Sequence, residues 1–200
     1  MGIKKERTEI RQQQIVYAAR KLIFKYGSEH LTVKRIAAEV GISEAAIYRH
    51  FTSKKSILSF LLTHIESILL ADISRTNTGD GPVTIETIEK TARNHFSRIA
   101  LRKGISFQVI AEIVSLGDES LNKKAAQTID RYISGLTELL AEGVKSGSVR
   151  EDIDLEAAAT LLFSMIQSLA NIWALNNGSF KLIDKHISLW QIYREAIARR

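Results

Sequence analysis

Apolar positions along this 200-residue chain recur every three to four residues over almost its whole length, and no stretch alternates apolar and polar residues long enough to make a convincing strand. An all-α fold is predicted. Over residues 8–26, Ile15, Ala18, Ala19, Leu22 and Tyr26 share one helical face, and Gly27 suits the left-handed residue that commonly ends such a helix. A second helix has Thr32 as its N-cap, buries Val33, Ile36, Ala37 and Val40, and stops at Gly41. A third starts just beyond, with Ser43 as N-cap and Ile47 and Phe51 turned inward. Leu31 with Ile36, and Ile42 with Ile47, are placed as hydrophobic staples across the two starts. Two short helices joined by a tight glycine turn make a helix-turn-helix over about residues 32–51.

A fourth helix is predicted from "TSKK" to about residue 75, with Leu58, Leu61, Leu62, Ile65 and Leu69 on one side. "TNTGDGP", which holds the sole proline, Pro82, reads as a loop. Five more helices are predicted at about residues 83–101, 105–116, 121–146, 155–176 and 181–198, about nine in all. The expected organisation is a three-helix helix-turn-helix domain over residues 1–55 and a larger helical domain over residues 56–200.

Charge sharpens this division. Residues 1–55 carry 12 Lys and Arg against 5 Asp and Glu, and the remainder carries 16 against 17, so the excess positive charge sits in the first quarter. A basic module on a neutral body points to a polyanion, most simply nucleic acid. With Ile47 and Phe51 inward, the third helix presents Ser43, Glu44, Ala45, Tyr48 and Arg49 outward, and a helix of that width fits the DNA major groove. A merely solvated surface helix is the plainer alternative for an isolated segment, but the charge bias, the paired staples and the glycine turn agree with each other.

The stretch "LTVKRIAAEVGISEAAIYRHFTSKKSIL" resembles the DNA-binding segment of the tetracycline-repressor (TetR) family of transcription regulators, over roughly residues 10–65. "EGVKSGSVREDIDLEAAATLLFSMI" resembles that family's turn between its seventh and eighth helices. The resemblance implies a two-fold dimer with an N-terminal helix-turn-helix and a C-terminal ligand-binding and dimerisation domain. By position it implies phosphate contacts at Thr32, Ser43, Tyr48 and Lys54, with Lys55 beside them, and base-facing or base-flanking places at Lys34, Glu44, Ala45, Ala46, Arg49 and His50. Hydroxyls at helix starts and a lysine in a first turn are natural phosphate ligands, although Lys54 and Lys55 also fit as two solvated lysines. Arg49 is the candidate for bidentate reading of guanine, Ala45 or Ala46 for a thymine methyl, and Glu44 for a cytosine amine or a simple first-turn acid. His50 reads as packing or phosphate-contacting. Ser28, Leu31 and Thr52 depart from the family pattern.

In the larger domain, Thr160, Ser164, Gln167, Ser168 and Asn171 form an uncharged polar stripe that lines either a pocket or a helix contact. The last helix carries too many apolar residues to hide on one face, so a symmetric four-helix dimer interface built from the last two helices of each subunit is expected, including Ser164, Ser168, Ile187, Trp190 and Ile197. Expected ligand-facing polar groups are His64, His95, Arg98, Gln108, Glu112, Gln167 and Asn171.

Other classes fit less well. The five histidines are scattered, HExxH and the nucleophile elbow are missing, and no glycine-rich phosphate loop precedes a helix, so neither an enzyme, a metal site nor a cofactor is expected. With no cysteine and a polar, basic N-terminus, a cytoplasmic protein is expected. Residues 157–180 carry no charge but hold three asparagines, and read as a helix buried in protein rather than a membrane span. The expected function is a dimeric transcription regulator, a repressor, that binds a pseudo-palindromic double-stranded DNA operator and is released by an apolar or amphipathic small molecule. The alternative is a C-terminal domain that recruits a protein partner instead of sensing a small molecule.

Overall fold

Local capping decides where most helices start, and the starts follow the side chains that supply the caps. The structure, a computed structural model, describes residues 2–74, 81–101, 105–176 and 178–199. Among these the order is α1 (Gly2–Tyr26), α2 (Val33–Val40), α3 (Glu44–Tyr48), α4 (Lys54–Ser74), α5 (Ile85–Leu101), α6 (Ile105–Ser115), α7 (Glu119–Lys145), α8 (Leu155–Leu175) and α9 (Leu182–Ile197), with no strand. α1 starts at Gly2 rather than near residue 8. α5 starts later than expected because Thr84 and Thr87 exchange side-chain-to-backbone bonds, at 3.3 and 3.4 Å, a reciprocal cap. α7 starts earlier because Asp118 Oδ1 accepts the Leu121 N–H at 3.0 Å. Most of the loop expected at residues 76–82 lies outside the described residues.

Two compact units result: Met1–Ile65 with Gln108–Thr128, and Glu66–Phe107 with Ile129–Arg200. In the first, α1 packs on α2 and α2 on α3. Its core is built from Ile15, Leu22, Leu31, Ile36, Ile47, Leu58 and Leu62, with Val109 and Ile113 of α6 also buried. Burying such a set removes apolar side chains from water at roughly 1.5 to 3 kcal/mol each, which holds α2 and α3, of 8 and 5 residues, too short to persist alone.

In the second unit α5, α8 and α9 pack on one another. α8 buries Ala159, Leu162, Phe163, Ile166, Leu169 and Ala170. The end of α9 is pinned to the α7–α8 turn by an isolated bridge between Val149 and Ala198, with Arg150 N–H on Ile197 O at 2.9 Å and Arg199 N–H on Ser148 O at 3.1 Å. Gly143 permits that turn: a Cβ there would stand 2.6 Å from Val149 Cγ2, inside van der Waals contact. By length and composition α4 and α8 are apolar enough to cross a membrane. α8 nevertheless buries one apolar stripe and exposes Thr160, Ser164, Ser168 and Asn171, as a helix of a packed unit does.

Candidate nucleic-acid interface

The turn at Gly41 orients the candidate surface. Gly41 holds φ 76° and ψ 37°, a left-handed conformation that costs a residue with a Cβ about 1 kcal/mol or more. Its N–H donates to Ala38 O at 3.2 Å and the Ile42 N–H to Ala37 O at 3.0 Å, which closes α2 and redirects the chain into α3. Thr32 Oγ1 accepts the Arg35 N–H and Ser43 Oγ the Ala46 N–H, each at 3.2 Å. A capping hydroxyl that accepts still has its proton to donate outward, which a capping carboxylate lacks.

Burial then sorts α3. Ile47 is fully buried and Phe51 nearly so, while Ser43, Glu44, Ala45, Tyr48 and Arg49 are exposed and Ala46 and His50 are half-buried. Thr32 and Lys34 are exposed beside them. His50 Nδ1 is buried without a hydrogen-bond partner among the described residues, so that edge of the ring faces the protein. The lysines at the α4 start are engaged: Lys54 Nζ donates to Ser28 O at 3.3 Å, and Lys55 Nζ pairs with Asp118 Oδ2 at 2.8 Å.

The expected ligand-facing groups are divided between the two units. His64, Gln108 and Glu112 belong to the first unit, where Glu112 Oε2 accepts the Ser28 N–H at 2.8 Å. On α8, Gln167 is half-buried and Asn171 exposed. His95 and Arg98 do meet, on an acid the sequence reading missed. Asp72 is fully buried, with Arg98 Nη1 2.9 Å from its Oδ1 and His95 Nδ1 3.5 Å from its Oδ2. A lone acid inside the apolar run "SILLADI" was the available signal. From His95 a row of rings continues to Tyr132 (centroids 5.4 Å apart), Phe163 (5.8 Å) and Phe107 (5.9 Å). Burial first, and the Asp72 charge second, push the Tyr132 phenol above its ordinary pKa, so it stays protonated. A surface groove between α4 and α7, lined by Leu70, Ile73, Gly135 and Leu139 with Glu138 and Glu142 at its edge, does not include this cluster.

The expected dimer face needs a correction. Trp190 and Ile197, assigned to a partner-facing surface, are each 2% exposed in the single chain and belong to the core of the second unit. The buried stripe of α9 runs Leu182, His186, Trp190, Tyr193, Ile197, and Tyr193 Oη closes it by donating to Ala158 O at 3.0 Å. The polar His186 within that stripe hid its direction. Ile187 and Ile192 remain outside on α9, with Leu161, Ser164, Ser168 and Ile172 outside on α8.

Known proteins share this architecture. Residues 15–59 match the model described as bacterial regulatory proteins, tetR family, and residues 68–195 match the one described as YsiA-like protein, C-terminal region. The fatty acid metabolism regulator protein of Bacillus subtilis (strain 168) is 24% identical over 170 residues, 85% of this chain and 87% of that protein. The nucleoid occlusion factor SlmA of Haemophilus influenzae (strain PittGG) is 31% identical over 123 residues, 62% of this chain and 56% of that protein. Among solved structures, the transcriptional regulator FadR from Bacillus subtilis in complex with stearoyl-CoA aligns with TM-score 0.78 at 22% identity, covering 90% of this chain and 96% of that one.

Proposed function

Because the chain belongs to the tetR family of bacterial regulatory proteins, which bind DNA and regulate transcription, we propose that it is a cytoplasmic repressor acting as a homodimer on a pseudo-palindromic operator. One observation carries the reading: the left-handed turn at Gly41 leaves Ser43, Glu44, Ala45, Tyr48 and Arg49 exposed on a helix that is backed by Ile47 and Phe51. Residues 1–55 contact DNA and residues 56–200 pair the subunits and bind the effector. Thr32, Ser43 and Tyr48 donate hydroxyl protons to phosphates, with Lys54 beside them. Arg49 reads a base, Ala45 and Ala46 approach the groove floor, and Lys34, Glu44 and His50 flank it. Two such helices, related by a two-fold axis, address half-sites about one helical turn apart, roughly 34 Å.

The effector reading follows the relatives. One is named a fatty acid metabolism regulator and another is solved with stearoyl-CoA, so a long-chain acyl thioester is proposed here. The buried row of rings from Phe107 to Tyr132 suits an acyl chain, and Arg98 and His95 on Asp72 offer polar groups at its end. The thioester releases DNA by preferring the conformer whose recognition helices are wrongly spaced. The test is selection of duplexes from a random pool, followed by titration of the selected complex with stearoyl-CoA. A symmetric motif and release by the thioester are expected. Enrichment of no symmetric motif would overturn the operator reading, and a complex indifferent to stearoyl-CoA would overturn the effector.

A further inference from the structure

α4 opens with Lys54 and Lys55 and has no acid in its first turn, so two positive charges stand where the helix macrodipole is already positive. The compensating charge comes from the turn before α7. Asp118 Oδ2 lies 2.8 Å from Lys55 Nζ, while its other oxygen accepts from Leu121 N–H and from Ser120 Oγ, each at 3.0 Å. One carboxylate therefore starts α7 with one oxygen and holds Lys55 with the other. The pair is open to solvent, with Lys55 53% and Asp118 33% exposed, so an anion arriving from outside can reach the ammonium.

We propose that Asp118 is an intramolecular competitor of DNA phosphate for Lys55, holding the ammonium in the free protein and opposing its use by the duplex. The inference rests on the reading of the helix-turn-helix as the DNA-contacting unit. An ammonium has three donors, so Lys55 either leaves Asp118 or bridges it to a phosphate. In both cases the carboxylate's charge stands against the incoming anion. Lys54 differs, because its partner is the uncharged Ser28 carbonyl and it keeps two donors for a phosphate without repulsion. In the free protein Asp118 is ionised, since the bond to Lys55 first and the Leu121 N–H second hold its pKa down to about 2.

The consequence is selective. A phosphate contact is blind to sequence, so masking one lysine lowers specific and non-specific binding alike and leaves discrimination to the base-facing residues of α3. A lysine already neutralised within the protein also displaces fewer counterions from DNA, which flattens the salt dependence.

The experiment is a salt titration of wild type, Asp118→Asn, Lys55→Ala and the double variant, on a duplex selected by the wild type and on a scrambled duplex of equal length. Asn keeps a capping oxygen, and Asp118→Ser provides a second charge-free cap. Expected for both is binding about two- to five-fold tighter on either duplex. The log-log salt slope should steepen by about 0.9, and the gain should vanish in the Lys55→Ala background. An equal gain with and without Lys55 would mean bulk charge alone and would overturn the proposal, as would unchanged binding, or weaker binding that tracks a fall in Tm. A wild type that selects no duplex would strike the DNA-binding reading as well, whereas normal wild-type binding with an inert Asp118 strikes only this inference.

Discussion

Glu112 of α6 accepts the backbone N–H of Ser28 at 2.8 Å, and so holds the turn between α1 and α2 from outside that turn. Lys54 Nζ takes the carbonyl of the same residue at 3.3 Å, so both faces of a fully buried position are held by charged side chains. Gly27, at φ 81°, brings the chain into this turn. Glu112→Ala removes the acceptor and leaves the Ser28 N–H buried and unpaired, at a cost of about 1 to 3 kcal/mol. Glu112→Gln keeps an acceptor and should stay close to wild type. Urea unfolding of the two variants checks this, and equal losses would mean that shape rather than the hydrogen bond matters at Glu112.

Asp72 and Arg98 give a larger effect, because the carboxylate is fully buried. Asp72→Ala strands the Arg98 guanidinium next to His95 and should destabilise by about 3 to 5 kcal/mol. Replacing both partners, Asp72→Leu with Arg98→Met, should recover most of the stability while weakening the response to stearoyl-CoA. A double variant with a full effector response would remove the pair from the effector site.

His186 sets a pH dependence. Its ring lies 4.7 Å from that of Phe96 and 6.2 Å from that of Trp190, and neither ring nitrogen has a hydrogen-bond partner among the described residues. Burial first, and the Arg93 charge second, lower its pKa from 6.5 to about 4. The unfolded chain binds this proton more readily, so the stability from a neutral His186 is complete above about pH 6.5 and is lost as the pH falls toward 4. His64, lowered by burial and then by Arg20, acts in the same direction. Denaturation midpoints measured across this range should fall less in His186→Phe than in the wild type; parallel curves would show that the ring is not buried neutral.

Subunit pairing should depend on outward residues of α8 and α9. Leu161→Glu with Ile192→Glu should give folded monomers by sedimentation and lose operator affinity while keeping weak non-specific binding, since both side chains are at least 50% exposed in the single chain. Trp190→Ala should instead cost about 3 to 5 kcal/mol of stability through the cavity it opens. A Leu161, Ile192 double variant that stays dimeric would move the interface elsewhere.

At the DNA surface, Arg49→Ala should relax preference at one base position in each half-site and cost about 1 to 3 kcal/mol on the preferred sequence alone. Tyr48→Phe removes only a hydroxyl and should weaken all sequences alike. Equal losses on preferred and scrambled duplexes for Arg49→Ala would make it another phosphate contact.

The sequence by itself determined the order of the helices, the caps of α2 and α3 and the exposed face of α3. Thr32 with Arg35, Gly41 with Ala38, and Ser43 with Ala46 each act across three residues, so their chemistry is complete in the local string. What the local string left open depended on distant partners. Nothing near Glu112 in the chain says that the Ser28 N–H lies within its reach. On α9, nine apolar residues left several faces eligible for burial, and the choice fell on the stripe containing polar His186 because Phe96 of α5 and the other rings of that stripe cover it. Asp72 is the same lesson in charge: an acid in an apolar run looks costly in sequence, and only the fold brings Arg98 and His95 to it. Caps and periodicity are written in neighbouring residues, whereas the pairing of a buried charge and the inner face of a helix are fixed by which helices meet, a property of the folded chain as a whole.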